Sequence, residues 1–111
     1  LDHPDKNELN ARDNQIVFMS ACFRGHKDVV QLLLELSNPG IDVNARAGRG
    51  KTALMLACQR GRQDVVKLLL EHSGRSIDLN AKENSGNTAI MIASCMGYRK
   101  VVQLIKSKLA Q

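Results

Sequence analysis

Apolar residues recur along the chain in two kinds of run separated by a glycine. From Thr52 to Arg60 the sequence is short, small-residue and apolar; Gly61 follows, and then Val65, Val66, Leu68, Leu69 and Leu70 recur at helical spacing. The pattern predicts two antiparallel helices joined at the glycine, which supplies the left-handed backbone that stops the first of them. Thr52 and Thr88 stand where a side-chain oxygen can accept from the orphan N–H groups at the start of that first helix. Asp28 and Asp64 fall in the first turn of the second helix, where its dipole favours negative charge, whereas position 100 carries Lys.

The two-run pattern repeats. Gly25, Gly61 and Gly97 stand 36 residues apart, as do the valine pairs 29/30, 65/66 and 101/102. The segment from Ala21 to Glu35, ACFRGHKDVVQLLLE, matches ACQRGRQDVVKLLLE from Ala57 to Glu71, and a third, looser copy follows. One helix pair cannot bury its own apolar face, so the copies must stack. Ala21, Ala57 and Ala93 let neighbouring first helices approach closely, and the Val/Leu ridge of each second helix packs on the next unit. Between the pairs, Ser37 to Gly50 and Ser73 to Asn87 share Ile-Asp-Val/Leu-Asn-Ala followed by polar residues and Gly50 or Gly86. These segments read as extended turns projecting from the stack.

Composition sharpens the class. With 111 residues the chain is one domain, and it has no run of the roughly 18 apolar residues that a membrane span requires. Its N-terminus is polar rather than an export signal. Three widely spaced cysteines, Cys22, Cys58 and Cys95, fit reduced thiols of the cytosol or nucleus better than a disulfide framework. Aromatic residues make up 3% of the chain, too few for a platform that stacks nucleic-acid bases.

The run GKTALMLACQRGRQDVVKLLLE, followed by IDLNA at Ile77 to Ala81, resembles the ankyrin repeat. The resemblance recurs in register three times and implies an all-α solenoid of stacked helix-turn-helix units with projecting hairpin loops. Its usual Thr-Pro-Leu-His reads Thr52-Ala53-Leu54-Met55 and Thr88-Ala89-Ile90-Met91, and has decayed to Ile16-Val17-Phe18-Met19 in the first unit. Ala in place of Pro keeps helix propensity, whereas Met in place of His removes a hydrogen-bonding group and predicts a weaker ladder between hairpins. Each unit exceeds the usual length by three residues, in the loops Ser37 to Ile41 and Ser73 to Ile77. On this reading residues 1–111 are one domain. Residues 1–14 are the remnant of a preceding repeat and its hairpin, 15–50 the first repeat, 51–86 the second, and 87–111 the third, a C-terminal cap.

The alignment of Leu1-Asp2-His3 with Leu70-Glu71-His72, and of Glu8-Leu9-Asn10-Ala11 with Asp78-Leu79-Asn80-Ala81, carries the expectation of a longer array. Ile16, Val17 and Phe18 give the first unit an apolar start suited to being covered. Lys106, where the inner units have Leu34 and Leu70, marks the opposite end as a cap.

Candidate chemistry is sparse. Cys22 and His26 are four apart, but the next unit has Cys58 and Arg62, so no four-ligand zinc set assembles and no metal is expected. Cys22 and Cys58 read as small core residues, while Cys95 occupies an outward position shared with Phe23 and Gln59. His3, His26 and His72 lie at different places in their units. No catalytic order, phosphate loop or paired carboxylate motif is present, so neither an enzyme nor a cofactor is expected.

Charge is more informative. The chain carries 16 Lys and Arg against 11 Asp and Glu, a net +5. Arg46, Arg49, Lys51, Arg60, Arg62, Lys67 and Arg75 face only Asp64 and Glu71 between positions 46 and 75, so all of the excess sits on the central unit. The family resemblance implies that hairpin tips and the exposed side of the first helix bind partners. That gives Arg49, Lys51, Gln59 and Arg60 in the centre, with Gln15, Phe23 and Arg24 before them and Asn84, Ser85, Asn87, Cys95 and Met96 after. The expected function is non-enzymatic binding of a protein or peptide with an acidic surface, by a monomer that is part of a longer chain. Phe23 and Met96 would serve as apolar anchors. Binding of nucleic acid or a phosphorylated ligand by the same stripe is the alternative, disfavoured by the few aromatics; a structural spacer is a third reading. Leu36 and Asn44 also resemble the spacing at which asparaginyl hydroxylases modify ankyrin repeats, against which stands a simple hydrogen-bonding role for Asn44 in its turn.

Overall fold

The computed structural model describes residues 6–37, 40–73 and 76–111. These hold six helices and no strand: α1 (Lys6–Arg24), α2 (Lys27–Leu36), α3 (Ala53–Gln59), α4 (Gln63–Ser73), α5 (Ala89–Met96) and α6 (Arg99–Leu109). Each odd-numbered helix packs on the even one that follows it. The pairs stack so that α1, α3 and α5 form one layer and α2, α4 and α6 a second. The stack measures 52 × 27 × 23 Å, the elongated form of a solenoid.

Local chemistry sets the helix ends. Thr52 Oγ1 accepts from the Met55 N–H at 3.3 Å and Thr88 Oγ1 from the Met91 N–H at 3.4 Å, so the two threonines start α3 and α5 as their positions predict. Gly61, at φ 64°, ends α3 and turns the chain so that the Arg62 N–H donates to the Ala57 carbonyl at 2.9 Å. The same glycine has a second reason to lack a side chain. A Cβ on Gly61 would lie 2.9 Å from the Tyr98 ring, and one on Gly25 would lie 2.8 Å from Arg62 Cδ. Residues 62 and 98 thus each close over the glycine one unit earlier.

The valine pair reports how the units stack. Val30 and Val66 are fully buried against the following unit, whereas Val102, with no further unit on it, is only half-buried. Conversely Val65 and Val101 are buried against the preceding unit, and Val29 is exposed. The core between layers holds Phe18, Leu54, Met55, Val65, Val66, Leu69, Val101 and Ile105, with Ala57 of α3 and Ala93 of α5 fully buried in it. The third unit's outer side carries Ser94 and Lys106 where the others have Cys22 and Cys58, or Leu34 and Leu70. Both are exposed.

One expectation fails. Residues 8–11, read as the first projecting hairpin, belong to α1, which runs unbroken from Lys6. The two hairpins that do form turn at Gly50 (φ 75°) and Gly86 (φ 89°), and Asn14 takes that place in the first unit. With Glu8, Leu9, Ala11 and Arg12 favouring helix, nothing there forces the turn and the helix continues. Leu1 to His3, matched above to the end of a preceding helix, lie outside the described residues, as does Arg75 of the basic run. Ile16 and Val17 are exposed, and Phe18 is fully buried.

The hairpins are tied together without the histidine of the usual motif. Asn44 Nδ2 donates to the Ser76 carbonyl at 2.6 Å, and its Oδ1 accepts from the Asp78 N–H at 2.8 Å. Arg46 donates to the Lys82 carbonyl at 2.6 Å, and the Asn84 N–H donates to the Arg49 carbonyl at 2.9 Å. In the first unit Asn10, aligned above with Asn80, lies within α1, and Gln15 supplies the amide instead. Its Nε2 donates to the Asp42 carbonyl and its Oε1 accepts from the Asp42 N–H, both at 3.0 Å. A side chain from the helix therefore does for the first junction what the hairpin asparagine does for the second.

Candidate functional site

Of the expected binding residues, Lys51 and Arg60 are held by Gln59 and Phe23, which share one register position, and Arg49 stands on the hairpin that precedes α3. Arg49 sits at the hairpin tip in the left-handed region, at φ 64°, which exposes its side chain while its carbonyl is engaged by Asn84. Lys51, at the hairpin base, donates from Nζ to Gln59 Oε1 at 2.6 Å. Arg60, just past the end of α3, lays its guanidinium over the Phe23 ring, 5.0 Å from the centroid. That contact joins the last turn of α1 to the unit beyond it. Phe23 is half-buried and its ring is occupied, so it holds a cation rather than standing free as an apolar anchor.

The remaining expected residues are more dispersed. Arg24 ends α1 and is exposed; Asn87 is exposed ahead of α5; Cys95 and Met96 end α5, also exposed. Cys95 borders a surface depression lined by Ile90, Met91, Ser94, Val102 and Lys106, which places it toward the outer end of the stack. Gln15 is committed to Asp42, and the Asn84 backbone to Arg49. Both polar atoms of the Asn44 amide are engaged with the next hairpin, a structural duty that accounts for an asparagine at this position.

Arg62 was not among the expected binding residues. Its Nε donates to the Phe23 carbonyl at 3.1 Å, fixing the backbone beneath the ring that carries Arg60. Two arginines of the second unit therefore grip one phenylalanine of the first. The signal was present in the register, since positions 26, 62 and 98 follow the glycines, but His, Arg and Tyr share no chemistry that would draw attention to them.

Cys22 and Cys58 are buried, and burial pushes their thiols up to about 12, which keeps them protonated and unreactive. His26 is exposed and does not join Cys22 inside. Among the described residues no three His, Cys, Asp or Glu side chains gather into a metal site, and no helix is long and apolar enough to cross a membrane.

Paired helices stacked in two layers, with hairpins projecting from their junctions, define a helical repeat protein. The family model described as Ankyrin repeats (3 copies) matches residues 1–77 and, again, 18–111. The chain belongs to the ankyrin-repeat family. No curated protein matches it. Ankyrin repeats are in general protein–protein interaction modules, and the family is typically non-enzymatic.

Proposed function

We propose that this chain is a non-enzymatic binding module of the cell interior, receiving an acidic segment of a protein partner along the hairpin side of its central repeat. The observation that carries the reading is the placement of charge. The whole net positive charge of the chain arises between positions 46 and 75, and two cations of that run, Lys51 and Arg60, are held by neutral residues of one register position, Gln59 and Phe23, with Arg49 exposed on the adjoining hairpin. A preformed, rigid stack lowers the ordering cost of binding, and a cationic patch speeds encounter with an acidic partner. Arg24 extends the patch toward the first repeat, and exposed Met96 offers apolar contact at the other side.

The test is fluorescence anisotropy with labelled poly-glutamate, repeated with the triple variant Arg49→Glu, Lys51→Glu, Arg60→Glu. Binding by the parent protein and its loss in the variant, with helical circular dichroism unchanged, is the expected result. Equal affinity of the two proteins contradicts the assignment of the surface. A labelled single-stranded RNA serves as the competing ligand: tighter, steeply salt-dependent binding of RNA than of poly-glutamate would favour the nucleic-acid alternative.

A further inference from the structure

Resting on that reading, we propose that Phe23 and Gln59 are orienting residues, and that Arg60, held over the Phe23 ring, is a preset bidentate receptor for one carboxylate of the acidic partner, with Lys51, held by Gln59, as a second restricted cation. Phe23 and Gln59 occupy the same register position in successive repeats, 36 residues apart, and each holds a cation of the second repeat. The two partners, a ring and an amide oxygen, are both neutral. They restrict the cations without cancelling their charge, which remains available to an incoming anion.

The geometry decides what kind of anion. A guanidinium held over an aromatic ring engages it through its charge and not through its N–H donors, which stay available to meet both oxygens of a carboxylate at once. Stacking also removes rotamer freedom that a solvent-exposed arginine would lose on binding. The base of this receptor is itself secured. The Arg62 Nε bond to the Phe23 carbonyl locks the end of α1, and the Arg62 chain lies against Gly25, where even a methyl group would collide with it. At the next junction the matching residues are Gln59 and Met96, which build no such pair, so the receptor is confined to the boundary between the first and second repeats.

The experiment measures poly-glutamate binding by anisotropy and the Arg60 side-chain resonances by NMR in four proteins: the parent, Arg60→Lys, Phe23→Leu and Phe23→Tyr. Arg60→Lys keeps the charge but loses the planar fork, and is expected to weaken binding about fivefold or more. Phe23→Leu is expected to do the same while abolishing the ring-current shift of the Arg60 Cδ protons, and Phe23→Tyr to restore both the shift and the affinity. Titration of the parent with poly-glutamate should move the Arg60 Nε–H resonance. If Arg60→Lys and Phe23→Leu bind as the parent does while the triple charge reversal still abolishes binding, the surface is right and the preset receptor is wrong. If the triple reversal itself changes nothing, the reading on which the receptor rests fails with it.

Discussion

The first and second repeats carry nearly the same fifteen residues, ACFRGHKDVVQLLLE and ACQRGRQDVVKLLLE, yet live in different surroundings. Leu69 is fully buried and its counterpart Leu33 only partly so; Val65 is 1% exposed and Val29 39%. The residues do not differ, and their helices differ little. What differs is that, among the described residues, the second repeat is covered on both sides and the first on one. In a stacked protein burial belongs to the junction between units, so identical side chains contribute unequal stability. The same holds for the site, because Arg60 acquires its orientation from a phenylalanine of the neighbouring repeat.

The sharpest probe of this inequality is a pair of truncations. Leu69→Ala should destabilise by about 2 to 5 kcal/mol through the cavity it leaves, and Leu33→Ala by distinctly less, both read from urea denaturation. Equal losses would break the comparison. Next in size are the glycines: Gly61→Ala forces a Cβ against the Tyr98 ring at a left-handed backbone, whereas Gly97→Ala meets the same backbone strain with open space around it. Gly61→Ala should therefore lower the melting temperature more than Gly97→Ala, which on its own costs on the order of 1 kcal/mol. Thr52→Ala, which removes the cap of the central repeat's first helix, should cost about 1 kcal/mol in the same measurement.

Thiol chemistry offers a smaller but clean contrast. Cys95 is exposed and should react with a thiol reagent in the native protein, while Cys22 and Cys58 should react only after unfolding. The two buried thiols also set a pH dependence. Their folded values near 12 lie above the ordinary value of 9.0, so their contribution to stability is complete below pH 9 and falls as the pH rises from there toward 12, where the unfolded chain ionises first. A melting temperature that holds level across that range would contradict their burial.

Most of the fold could be read from the chain because it was written three times. The glycine spacing, the threonine caps and the valine pairs each predict an element that forms. The first hairpin was misread for an instructive reason: alignment transferred a turn onto residues 8–11 without the glycine that the turn needs, and the local preference for helix prevailed. The site was legible only as a list of positions. Charge counting found Arg49, Lys51 and Arg60, but the pairing of Arg60 with Phe23 spans 37 residues and two repeats. No periodicity encodes it, since the register that aligns Phe23 with Gln59 says nothing about which side chain of the next unit leans back over it. Gln15 is likewise expected on the binding surface, and its pair of hydrogen bonds with the Asp42 backbone follows from a hairpin whose loss only the folded chain reveals.

The central claim is that binding depends on where the charge lies and not on how much of it there is. Two variants of identical net charge test it directly against labelled poly-glutamate: Arg49→Glu, Lys51→Glu, Arg60→Glu on the central repeat and the hairpin leading into it, and Arg99→Glu, Lys100→Glu, Lys106→Glu on α6, all three exposed. The account predicts that the first loses binding and the second retains most of it at moderate salt, where charges beyond a Debye length of about 10 Å are largely screened. Equal loss in both would show that poly-glutamate responds only to overall charge, and would contradict a binding surface on the central repeat.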